Sequence, residues 1–265
     1  MRIALAVEYN GSDFCGWQRQ PHSPSVQQEL ERALGVVADH PVTVICAGRT
    51  DTGVHALAQI VHFETAAQRP LKAWTFGVNS NLPASVSVHW AAVVSDDFHA
   101  RFSAQTRSYQ YRIFNRLNRP AIYSGQVTWV HRELDVLPMQ QAAAALLGEH
   151  DFSSFRAAEC QAHHPVRRVH RLQVQRRGDM VLIDITANGF LHNMVRIVAG
   201  SLIRIGTGEE EVAWLSSLLA ARDRTLAGMT AKPDGLYFVN ASYPAEFGIP
   251  EFVDPVLQSL PGQPA

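Results

Sequence analysis

Cysteine is scarce: only Cys15, Cys46 and Cys160 occur in 265 residues. An odd number with no paired spacing excludes a disulfide scaffold and a cysteine-held zinc cluster, and it is the pattern of reduced thiols in a cytoplasmic protein. Long apolar runs are missing as well. Nothing approaches the roughly 18 uninterrupted apolar residues of a membrane helix, and Glu8 and Asn10 end the opening apolar stretch too early for a secretory signal. Without a Gly-x-Gly-x-x-Gly or phosphate-loop stretch, no nucleotide cofactor is expected. His163, His164 and His170 make no helical i, i+4 pair and have no cysteine or carboxylate at ligand spacing, so no metal is expected either. Lysine is nearly absent, with Lys72 and Lys232 the two among 23 basic residues.

What is present is a chain 46% hydrophobic, long enough to bury one large domain or two small ones. The net charge of −1 conceals an uneven distribution. From Phe98 to Arg132 the arginines 101, 107, 112, 116, 119 and 132 occur with no acid, and from Gln161 to Gly178 the arginines 167, 168, 171, 176 and 177 do the same. Acids collect elsewhere, at Glu29 and Glu31, Asp96 and Asp97, Glu209 to Glu211 and the last twenty residues. The planar arginine fork suits phosphate and stacks on bases. Two long acid-free blocks therefore suggest an RNA-facing surface, the alternative being solvated charged faces.

The first half reads strand, helix, strand, strand, helix, strand. Ile3–Tyr9 is an apolar strand, and Ser25 with Gln28 three residues on is a capping-box pattern. Val26, Leu30, Leu34 and Val37 follow at helical spacing. Strands are predicted over Val42–Cys46, Ala58–Phe63 and Val86–Val94, and a short helix over Leu71–Asn79. The second half repeats the order more loosely. A strand is predicted over Tyr109–Phe114, a helix over Asp135–Leu147, and a hairpin of Val169–Val174 and Val181–Ile185 around Arg177-Gly178-Asp179. Helices over Leu191–Ile205 and Glu210–Ala220 and a strand over Leu236–Ala241 complete it. Two βαββαβ patterns predict an α+β fold of two ferredoxin-like halves, residues 1–97 and 98–243, whose sheets join around a central basic cleft. The proline-rich stretch 244–265 is expected to be an irregular surface tail.

One segment carries chemistry: Ala47-Gly48-Arg49-Thr50-Asp51-Thr52-Gly53-Val54-His55-Ala56. An acid on a glycine-bent loop between two apolar runs is presented outward, and such loops often carry function. The bland alternative is an aspartate that caps a turn. The run from Arg49 to Ala56 closely resembles the active-site signature of the tRNA pseudouridine synthase A (TruA) family. Tyr9-Asn10-Gly11-Ser12-Asp13-Phe14-Cys15-Gly16-Trp17-Gln18 resembles that family's opening motif and Phe98 to Ala104 its central one. Phe190 to Arg196, followed by Gly200-Ser201-Leu202, is similar to a helix near the family's carboxyl end. Similarity in order runs from about residue 1 to about residue 243, with Thr52 where the family usually has alanine and Ile197 where a polar residue is expected.

The resemblance implies an isomerase that converts uridine to pseudouridine at positions 38, 39 and 40 of the tRNA anticodon stem-loop. It implies no cofactor and a homodimer whose basic cleft holds the tRNA. Asp51 would be the catalytic residue, Tyr109 the active-site tyrosine that stacks on the flipped uracil, and Arg196 the second active-site arginine. Arg49, two residues before Asp51, would keep the carboxylate ionised or wedge into the space left by an extruded base. Arg101, Arg107 and Arg168 are candidate phosphate contacts. Against these stand core packing for Tyr109, which alternates with Tyr111 and Ile113 on one strand face, and a solvated helix position for Arg196. Arg196 lies among Met194, Val195, Ile197 and Val198, surroundings in which a guanidinium calls for a carboxylate, with Asp51 the candidate. Two other functions compete: a passive RNA-binding module, and a glycoside hydrolase, which needs a second carboxylate that no comparable motif supplies.

Overall fold

In the computed structural model, which describes residues 1–250 and 252, the opening apolar run is strand β1 (Arg2–Tyr9). Its residues Ile3 to Val7 are wholly buried on both faces, as a strand with neighbours on both sides requires. Helix α1 (Val26–Ala38) starts where the Ser25 hydroxyl accepts the Gln28 N–H, and its buried stripe contains Val26, Leu30, Ala33, Leu34 and Ala38. Then come β2 (Ile45–Cys46), β3 (His55–Glu64), α2 (Phe76–Asn79) and β4 (Val86–Val94). The strands lie in the order β4-β1-β3, with β2 also against β3. The pairing is antiparallel, with Leu5 opposite Val61 on one side and Ala91 on the other.

The helix predicted over Asp135–Leu147 ends at Ala143 and passes into a 3-10 turn (Ala144–Leu146), and two further predicted elements are shorter than expected for a packing reason. The strand predicted from Val42 reduces to Ile45–Cys46. At Val44 the N–H donates to the Glu31 carboxylate at 3.1 Å and the carbonyl accepts from the Gln27 amide at 3.5 Å, so side chains of α1 take the groups a ladder would use. The helix predicted over Leu71–Asn79 breaks into a 3-10 turn (Leu71–Ala73) and α2. Between them Trp74 is fully buried with its ring edge on Phe63, at 5.2 Å between centroids.

The second stretch of chain forms β5 (Thr106–Asn115), β6 (Thr128–Val130), α3 (Val136–Ala143), β7 (Gly148–Asp151), β8 (Val166–Arg177) and β9 (Met180–Ala187). Helices α4 (Met194–Gly206) and α5 (Val212–Ala221) and strand β10 (Leu236–Ser242) complete the order. The order β5-β9-β8-β7 is antiparallel, and β6 joins β5 in parallel. Gly178, at φ 56°, turns the predicted hairpin of β8 and β9. Helix α3 packs against α4, α5 and β8. Strands β6 and β7 are additions to the sequence reading; at three and four residues they are too short to show a period.

The result is a mixed α/β fold with mostly antiparallel pairing, divided into two compact units. Among the described residues, one is Met1–Gln105 with Phe238 to Pro250, and the other is Thr106–Tyr237. At the start of the predicted tail, Phe247 packs on Phe98 at 5.3 Å between centroids. Beyond Pro250 only Phe252 is described, so the rest of the predicted irregular tail lies outside the described residues. Among the described residues no helix is long and apolar enough to cross a membrane.

Candidate active site

The Asp51 loop joins β2 to β3 in the first unit and is tied down on several sides. The buried Gln59 side chain donates to the Gly48 carbonyl at 2.6 Å and accepts the Gly48 N–H at 3.4 Å. The Thr50 carbonyl accepts the Trp17 N–H at 3.0 Å, and the Phe14 carbonyl accepts the Gly53 N–H at 3.4 Å. Inside the loop, Val54 N–H donates to the Asp51 carbonyl at 3.1 Å, a turn that Gly53 permits at φ 77°. Thr50 is buried, with its hydroxyl 2.7 Å from the Tyr9 hydroxyl, while Thr52 is exposed. Asp51 sits half-buried between them. Burial pushes the Tyr9 hydroxyl's pKa up, so the group stays neutral and keeps its hydrogen.

The chain from Asn10 to Trp17 forms the other jaw. Gly11 donates its N–H to His55 Nδ1 at 3.0 Å. A methyl group at Gly11 would lie 2.0 Å from the Val54 carbonyl oxygen, and one at Gly16, itself at φ 95°, would lie 2.8 Å from the Thr50 oxygen. Both glycines are therefore required by backbone approaching backbone. His55, Gln59 and Tyr9 are parts of the site that the motif reading did not single out; Tyr9 and Gly11 stand in the opening motif, but their target was not legible.

Arg49 is exposed on the same loop. Burial pushes the Cys46 thiol up to about 12 against the pull of the Arg49 and Arg101 charges, so both guanidiniums act on this one thiol. The structure thus brings Arg49, Asp51 and Arg101 into the first unit.

Tyr109, Arg196, Arg107 and Arg168 belong to the second unit. Tyr111 and Ile113 are fully buried on β5, whereas Tyr109, at the end of that face, keeps 9% exposure and meets the Phe190 ring edge-on at 5.0 Å. Arg196 is half-buried on α4, donating from Nε to the Ala231 carbonyl at 2.7 Å and from Nη1 to Asn193 Oδ1 at 2.9 Å. Its helix is crossed closely by the chain at Met229: a methyl group at Gly200 would lie 1.9 Å from the Met229 oxygen. Ile197, the position where a polar residue was expected, is fully buried, which accounts for its apolar character. Arg107 donates to the Asn188 carbonyl at 3.2 Å, and Arg168 pairs with Glu149 at 3.3 Å. Arg132 pairs with Glu209, and Arg116 lies 3.6 Å from Asp179. The arginine blocks are free of acids along the chain but not in space. Among the described residues no group of three His, Cys, Asp or Glu is placed to hold a metal ion.

The class of protein follows from comparison of this chain with known families. The family described as tRNA pseudouridine synthase matches residues 5–103 and 142–244, a span that includes the Asp51 loop, its glycine jaw and α4. A tRNA pseudouridine synthase A of Vibrio campbellii is 57% identical over 250 residues, covering 94% of this chain and 95% of that one. Another from Pasteurella multocida is 56% identical over 251 residues, 95% of each chain, and one from Shewanella frigidimarina is 53% identical over 251 residues, 95% of this chain and 96% of that one. The chain belongs to the tRNA pseudouridine synthase A family and is an isomerase.

Proposed function

We propose that this enzyme converts uridine to pseudouridine at positions 38, 39 and 40 of the tRNA anticodon stem-loop, with Asp51 as its catalytic carboxylate. The reaction breaks the bond from ribose C1′ to uracil N1, turns the base and joins C1′ to C5; C5 loses its proton and N1 gains one. Cleavage leaves positive character on the sugar, as in glycoside hydrolysis, and a carboxylate answers that charge. One carboxylate suffices, because the base never departs and no water attacks.

The observation that carries this reading is the way Asp51 is held. Its neighbour Thr50 is anchored to Tyr9, Gly16 lies against the loop backbone, and Gly53 closes the turn, which together hold the backbone that carries the carboxylate before any ligand arrives. In this reading Tyr109 stacks on the uracil, Arg196 and Arg49 serve the same uridine, and Arg101, Arg107 and Arg168 meet phosphates. The βαββαβ element order and the order β4-β1-β3 with β2 on β3 support a ferredoxin-like first half. The enzyme is proposed to act as a homodimer in the cytoplasm.

Release of tritium from uracil C5 tests the assignment directly. In Asp51→Ala and Asp51→Asn the release should fall by roughly a thousandfold or more while tRNA affinity stays near that of the unsubstituted chain. Release within about tenfold of the unsubstituted chain in either variant would end the assignment. The same assay excludes a passive RNA-binding module, which releases none, and a hydrolase, which would yield free uracil.

A further inference from the structure

The first unit exposes an aromatic ring that the chemistry above does not use. Phe102 is 77% exposed, yet the turn that carries it has little freedom. His99 N–H donates to the Ser103 hydroxyl at 3.0 Å and the His99 carbonyl accepts the Ser103 N–H at 2.9 Å. His99 Nδ1 accepts the N–H groups of both Arg101 and Phe102, at 3.2 and 3.1 Å. Ala100 is held at both ends, its N–H on His62 Nδ1 at 3.1 Å and its carbonyl on the Tyr243 hydroxyl at 2.7 Å.

The Phe102 ring itself is positioned. His99 stacks on it with centroids 4.4 Å apart and planes 27° from parallel, and the Arg101 guanidinium carbon lies 5.5 Å from its centroid. Burial pushes the pKa values of His62 and His99 down, so both rings stay neutral and keep the lone pairs that hold the turn. A large apolar ring left 77% exposed adds little to the isolated fold, since it buries little area. Beside it stands the Arg101 guanidinium. A largely exposed aromatic ring next to a guanidinium, near the head of an acid-free stretch, is the pairing that receives an unstacked base and its phosphate.

We propose that Phe102, backed by His99, is a stacking platform for an unpaired nucleobase of the bound tRNA, with Arg101 meeting the adjoining phosphate. The proposal rests on the tRNA reading above. The ring would add affinity in a sequence-tolerant way, because every base has a π-face.

The test uses a labelled anticodon stem-loop RNA and a series of the same RNA with one loop nucleotide at a time made abasic. Binding and uridine conversion by the unsubstituted chain, measured first, test the tRNA reading by themselves; if both are absent, that reading falls and this proposal with it. If both are present, Phe102→Ala and Phe102→Leu should weaken binding on the order of 5- to 100-fold, and Phe102→Tyr should restore it. For one abasic RNA in the series, Phe102→Ala should cause no further loss. Equal affinity for the Ala, Leu and Tyr variants would overturn the proposal, as would an Ala penalty that persists undiminished on every abasic RNA. Loss of self-association in Phe102→Ala with RNA affinity unchanged would overturn it too, and would assign the ring to a contact between copies of the chain.

Discussion

Asp51 owes its presentation to its two neighbours. Thr50 turns inward to Tyr9 and Thr52 turns to water, so the carboxylate between them is neither buried in a ladder nor loose in solvent. The same local economy governs His62, which is 3% exposed and serves as acceptor for the Ala100 N–H. Burial first, then the neighbouring His99 and Arg2, lowers its pKa from 6.5 to about 4. The unfolded chain therefore takes up this proton near pH 6.5, and the folded chain only near pH 4. Stability due to His62 is fully present above about pH 6.5 and is lost as the pH falls toward 4, with a limiting slope of about 1.4 kcal/mol per pH unit. Urea midpoints at pH 7 and pH 5 should drop more for the unsubstituted chain than for His62→Gln, whose amide oxygen can still accept the Ala100 N–H. An equal drop in both would remove His62 as the cause.

At the scale of elements, strand β7 changes the meaning of the basic blocks. It places Glu149 directly opposite Arg168 on β8, and the side chains pair at 3.3 Å. Both are more than half exposed, so the pair adds little to stability and remains open to exchange for a phosphate. Arg107, at the start of β5, is partly engaged with the Asn188 carbonyl. If these arginines grip RNA, log affinity for tRNA should fall with log salt by roughly 0.7 to 0.9 for each neutralised phosphate. Arg107→Ala and Arg168→Ala should each flatten that slope by up to about one. Slopes unchanged in both variants would leave the arginines as structural groups of the second unit.

For the whole molecule, size is the governing quantity. A tRNA is more extended than a folded 29.3 kDa chain, and one subunit offers a small surface for gripping it while a stem is presented to Asp51. A two-fold dimer doubles that surface without new sequence. Equilibrium sedimentation should therefore give twice the mass of the chain at micromolar concentration, and a mass of 29.3 kDa up to that range would refute the dimer.

What the sequence determined by itself is what is written within a few residues: the Ser25 cap and apolar stripe of α1, the span of β4, the hairpin at Gly178, and the glycine-bent loop whose motif names the family. Periodicity and backbone preference are local, and a motif is read in order. What only the tertiary structure decided depends on groups far apart in the chain. Val44 gives its backbone to side chains of α1 instead of a ladder, and Trp74 interrupts a helix to reach Phe63. Glu149 faces an arginine block that looks acid-free, and the chain from Phe238 to Pro250 joins the first unit. The jaw that holds Asp51 also belongs here, since Gly11 and Gly16 read as flexible turns until Val54 and Thr50 are seen against them. Such pairings are chosen by burial and by the satisfaction of backbone groups after distant segments meet, and no window of sequence contains both partners.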